Sequence, residues 1–85
     1  MTNGKDIILK PSFGEFFHTV YIITGDKTEE RTATFDKIPK LLSSYPDYTI
    51  HFFGNEDFLK RIEKELKQKG ADKYNVDSWK IVYNK

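Results

Sequence analysis

The chain has no cysteine. That excludes a disulfide scaffold, a Cys-ligated zinc site, a thiol nucleophile and a CxxC redox centre together. Arginine is nearly missing as well, since only Arg31 and Arg61 carry a guanidinium among fourteen basic residues. Bidentate reading of phosphate or guanine leans on Arg, so few such contacts are on offer. Neither sign of charge is in excess. Fourteen basic against thirteen acidic side chains leave +1, too little to attract nucleic acid or membrane as a whole. No apolar run approaches the roughly 18 residues of a membrane span. Met1 to Asp6 lacks the apolar stretch of a signal peptide, and the expectation is a soluble, cytoplasmic protein. Internal repeats, low-complexity tracts and linkers are also missing. The 85 residues therefore read as one domain, with 1–5 frayed. A domain of that size buries only about 60–65% of its unfolded surface, so its core is small.

What the chain does contain is Lys, Ile, Phe and Tyr in quantity. Their codons are AT-rich, which fits a low-GC bacterium or its phages and plasmids. The pattern along the chain is informative about fold. Asp6-Ile-Ile-Leu-Lys10 reads as a short strand stopped by Pro11, placed at a sheet edge. Glu15 to Thr24 alternates Phe16, His18, Val20 and Ile22 with Phe17, Thr19, Tyr21 and Ile23. Both sets are largely apolar, so this is a central strand. Gly25-Asp26-Lys27 reverses the chain into an amphipathic strand over Thr28 to Phe35, with Ala33 and Phe35 facing inward.

Asp36 is placed to cap a helix whose first turn tolerates Pro39. Ile38, Leu41, Leu42 and Tyr45 make its apolar stripe, and Pro46 ends it. Tyr48 to Phe53 is an apolar strand closed by Gly54. Asn55 caps a second helix, buried through Phe58, Leu59, Ile62 and Leu66 and ending at Gly70. Glu56–Lys60, Asp57–Arg61, Glu63–Lys67 and Glu65–Lys69 are acid-before-base pairs at i, i+4, each worth about 0.2–0.5 kcal/mol. After a loop, Val76 to Tyr83 alternates with Trp79, Ile81 and Tyr83 on one side. The order is β-β-β-α-β-α-β. The step from Tyr48 to Tyr83 is long enough for a parallel crossover. The fold class is α+β, a two-layer sandwich with a mixed sheet and two helices on one face. The other face is solvated or a partner site.

Ile50-His-Phe-Phe-Gly-Asn-Glu-Asp-Phe-Leu59, followed by Leu66, Gly70 and Trp79, resembles the last strand–helix–strand of the ferredoxin-reductase-type NAD-binding lobe. Phe53 and Asn55 stand where that family has Cys and Pro. A strand leading into a capped helix is common to many α/β folds, and no residue role carries over.

The inventory for chemistry is thin. Ser12, Ser43, Ser44 and Ser78 lie in no nucleophile motif, and no phosphate loop, dinucleotide fingerprint or HExxH is present. His18 and His51 sit mid-strand between aromatics without metal-ligand spacing. The plain reading of each is a half-buried histidine with a hydrogen-bond partner; a weak alternative is a small-ligand or catalytic site around the pair. The expectation is a non-enzyme with no cofactor and no metal.

Two surfaces remain. Lys60, Lys64 and Lys67, flanked by Arg61, line the second helix opposite its buried stripe. The strands carry many aromatics, of which Tyr21, Tyr48, Trp79 and Tyr83 are candidates for a contact face. The same residues are the candidate partner-binding set. The expected function is a small protein-binding module, such as a phage or mobile-element accessory or inhibitor protein that occludes a host macromolecule. The alternative is a nucleic-acid-binding protein that stacks bases on sheet aromatics and holds phosphates on the lysine face. A homodimer through an exposed edge strand, Asp6–Lys10 or Thr28–Phe35, is a further arrangement.

Overall fold

The computed structural model describes residues 4–12, 17–70 and 79–84. Its elements are β1 (Lys5–Ser12), β2 (Phe17–Thr24), β3 (Lys27–Thr34), one 3₁₀ turn (Phe35–Lys37), α1 (Ile38–Ser43), β4 (Thr49–Phe53), α2 (Glu56–Gly70) and β5 (Lys80–Asn84). The chain order and the α+β class are those read from the periodicities. The expectations for Phe16, for the loop at 71–75 and for 76–78 lie outside the described residues.

The five strands form one mixed sheet in the order β3-β2-β1-β4-β5. β2 is antiparallel to both β1 and β3, whereas β4 is parallel to both β1 and β5. The expected parallel crossover from β4 through α2 to β5 is present. One expectation is corrected, because β1 is the middle strand and not an edge. It also runs through Pro11 to Ser12. The reason is local. β4 pairs with β1 only from Asp6 to Leu9, while β2 follows it to Ser12. Pro11 therefore sits where β1 has a neighbour on one side alone, and its missing N–H is tolerated there. The edges are β3 and β5.

Register then sorts the side chains. Ile22, Ile7, Ile50 and Ile81 form one row across the sheet, and Val20, Leu9, Phe52 and Tyr83 the next. These rows share a single apolar cluster with Ile38 and Leu42 of α1 and with Phe58, Leu59, Ile62 and Leu66 of α2. Both helices therefore cover the same face. Removing such a side chain from water stabilises the fold by about 1.5–3 kcal/mol where burial is complete.

Turns and caps hold this arrangement. Gly25 has φ +63° at the first position of a two-residue turn joining Thr24 to Lys27, a backbone that other residues avoid. Asn55 caps α2 as expected, its Oδ1 accepting the Phe58 N–H at 2.8 Å. Gly54 is there because the Phe58 ring folds back over it; a Cβ at that position would run into the ring. Asp36 is not a cap. It lies inside the 3₁₀ turn, and α1 starts behind Lys37 without a side-chain cap bond. The helical dihedrals begin with the 3₁₀ turn, so the extended residue at the cap position is Thr34, which makes no side-chain cap bond, and Asp36 already lies inside the turn.

Candidate functional site

The sheet face away from the helices is where contact residues can gather. The register puts Glu30, Tyr21, Ile8, His51 and Val82 in one row across all five strands. Ile23, Asp6 and Thr49 lie beside it on one flank, and Thr19, Lys10 and Phe53 on the other, with Phe17 one same-face position further out, opposite Ser12. No described helix covers this face. Val82 is 41% exposed and Phe17 36%, high values for large apolar side chains in so small a domain. Tyr21, Ile8, Ile23 and Phe53 are half-buried.

Polar groups on this face are organised. Asp6 Oδ1 accepts from His51 Nε2 at 2.9 Å, both side chains being partly covered. Lys10 Nζ stands 5.8 Å from the centre of the Phe53 ring, a cation–π contact. The face is thus a largely apolar patch with a hydrogen-bonded His–Asp pair and an aromatic-bound cation.

The two histidines are separated by the sheet. His51 has the hydrogen-bond partner that its plain reading expected. His18 is not half-buried; it is fully enclosed on the helix side. Its ring stacks on Phe58 at 5.6 Å and meets Phe35 at 5.9 Å and Phe52 at 6.5 Å. Alternation decides this: His18 shares a face with Val20 and Ile22, whereas His51 alternates with the buried Ile50 and Phe52. One pocket does not hold both.

The candidate contact residues divide in the same way. Tyr21 lies on the open face. Tyr48, Trp79 and Tyr83 pack against the core. Tyr48 meets Tyr45 edge-on at 5.0 Å, and its hydroxyl shares a 2.6 Å hydrogen bond with Thr24 Oγ1. Tyr83 stacks on Phe52 at 5.9 Å. Burial, with Glu63 adding to it, pushes the Tyr83 hydroxyl up to about 12. Ile8 and Val82 were missed as contact residues. Their signal was available, since each is an apolar residue at the outward position of an alternating strand.

Lys60, Lys64 and Lys67 are exposed on α2, away from the sheet. Lys60 reaches Glu56 at 3.8 Å and Lys67 reaches Glu63 at 3.5 Å. The Arg61 guanidinium lies 5.6 Å from the Phe58 ring centre. The lysine face and the aromatic open face stand on opposite sides of the sandwich. Among the described residues no three His, Asp or Glu side chains come together as a metal set, and no helix is long and apolar enough to cross a membrane. Comparisons with protein-family models, with curated proteins and with solved structures found no match to the chain.

Proposed function

We propose that the chain is a non-catalytic, protein-binding module that works by occluding a partner's surface with its open sheet face. The observation that supports this most is the row Tyr21, Ile8, His51, Val82, a largely apolar strip that no described helix covers, with Phe17 exposed on the same face further along β2. Contiguous apolar surface on a small domain marks an interaction site more often than isolated exposed residues do. Large aromatic and aliphatic anchors beside a hydrogen-bonded His–Asp pair suit the centre of a protein interface. A cytoplasmic setting belongs to the same reading.

Base stacking is the weaker reading. It would use Tyr21, Phe17 and Phe53 as platforms, but the lysine face that was to hold phosphates points the other way, and two of its three lysines have carboxylate neighbours. The test compares surfaces. Tyr21→Glu with Val82→Glu is expected to abolish capture of a partner by the immobilised chain, while Lys60→Glu with Lys64→Glu and Lys67→Glu leaves it intact. The reverse pattern, or tight binding of a labelled single-stranded oligonucleotide at low salt, overturns the sheet-face reading.

A further inference from the structure

A second surface lies along the edge strand β3. Its residues from Lys27 to Thr32 are all exposed, and no strand pairs with its outer side in the described sheet. Its sequence, Lys-Thr-Glu-Glu-Arg-Thr-Ala-Thr, has no proline, so the outward N–H and C=O groups are all available to a further strand. Beside it runs a groove of about 440 Å³ bounded by Arg31, Thr32 and Ala33 of β3 and by Lys37, Lys40, Leu41 and Ser44 on the α1 side. Arg31, Lys37 and Lys40 bring three cations to it, Ala33 and Leu41 are apolar, and no acid is among the described residues that line it. Arg31 gives its Nε–H to Glu29, which leaves the other guanidinium donors for a ligand. Among the described residues no carboxylate stands within ion-pair distance of Lys37 or Lys40.

We propose that this groove receives an extended acidic peptide segment of a partner protein, added as a sixth strand on β3. An open edge supplies backbone hydrogen bonds without regard to sequence, and the groove beside it reads alternate side chains. Register states which ones. On the helix side, β3 presents Glu29, Arg31 and Ala33 in line with the buried Ile22, Val20 and His18. Acidic side chains of the added strand belong beside Arg31 and Ala33, which share the groove with Lys37 and Lys40. Positions beside Glu29 exclude them. A second copy of the chain fits less well. An antiparallel copy centred on Glu30 sets Glu29 against Arg31 but also Lys27 against Ala33, beside Lys37 and Lys40, like charge against like. The proposal concerns a surface distinct from the open sheet face and stands whether or not that face binds.

The probe is a labelled peptide as long as β3 with alternating Thr and Glu, set against its Thr-Lys counterpart and followed by fluorescence anisotropy and amide hydrogen exchange. The Thr-Glu peptide is expected to bind about tenfold or more tightly than the Thr-Lys one, and Lys37→Glu with Lys40→Glu is expected to cost about tenfold or more. Binding is expected to slow exchange of β3 amides. N-methylation of one alternate set of peptide nitrogens is expected to abolish binding, and of the other set to leave it. Val82→Glu, on the opposite edge strand, leaves this peptide's affinity unchanged, which separates the two surfaces. Equal affinity for both peptides, or binding without protection of β3, overturns the proposal. So does protection of β3 that depends on protein concentration alone, which assigns the edge to a second copy. An oligonucleotide that displaces the peptide and leaves β3 unprotected assigns the cations to nucleic acid and also overturns it.

Discussion

The two edges of the sheet solve the same problem differently. At β5 the helix-side residues are Ile81 and Tyr83, and both pack on the core. At β3 the helix-side residues are Lys27, Glu29, Arg31 and Ala33, of which only Ala33 packs there. The roof explains the difference. α2 has 15 residues, a span of about 22 Å, and leads into β5; α1 has six, about 9 Å, and stops short of the whole length of β3. Where the roof extends, the edge is apolar and half-buried. Where it ends, the edge carries charge on its inner side, which discourages unplanned pairing and leaves a cationic groove. The lesson is that helix length, more than strand composition, decides which edge of a two-layer sandwich stays accessible.

The comparison breaks first if the long roof is not what holds the sheet. Ile62 is fully buried on α2. Ile62→Ala is expected to cost about 2–4 kcal/mol in a urea melt, whereas Thr32→Ala on the exposed edge is expected to change stability by less than about 0.5 kcal/mol. Comparable costs at both positions would show that β3 is covered in solution after all. A smaller effect sharpens the contrast between the helices. Asn55→Ala removes the side-chain cap of α2 and is expected to cost about 1 kcal/mol. Lys37 precedes α1 and makes no side-chain cap bond, so Lys37→Ala should leave the melt nearly unmoved. The smallest effect is in pH. With its folded value raised to about 12, Tyr83 supports the fold fully below the ordinary tyrosine value near 10, and that contribution is lost as pH rises through about 12. An ultraviolet absorbance titration should show a tyrosine component titrating near 12 that vanishes in Tyr83→Phe. Its absence would place β5 further from the roof than the Phe52 stacking implies.

Much of this was legible in the residues. Asn55 marked the start of α2 because a short polar side chain before an apolar stripe can satisfy an orphan N–H, and Phe58, Leu59, Ile62 and Leu66 are buried as their spacing required. Alternation in β2 told which residues share a face with His18 and which with Tyr21. Pro11 misled, since proline signals a strand edge locally, and here the local edge is the short overlap of β4 with β1. Asp36 misled because its residue type favours a cap, while the 3₁₀ turn that leads into α1 begins one residue earlier and moves the cap position to Thr34. The groove went unseen because Arg31 and the Lys37–Lys40 pair belong to separate elements whose approach no local pattern records.

Periodicity alone set the element types, their faces and the composition of the core, because a strand repeats every two residues and a helix every 3.6, and water sorts the two sides. Only the folded chain decided that β1 lies in the middle, that one histidine is enclosed while the other meets a carboxylate on the outer face, and that β3 stands uncovered beside three cations. Those outcomes depend on which strands exchange hydrogen bonds across long stretches of sequence and on where a short helix runs out, and such non-local choices leave no repeat for the sequence to display.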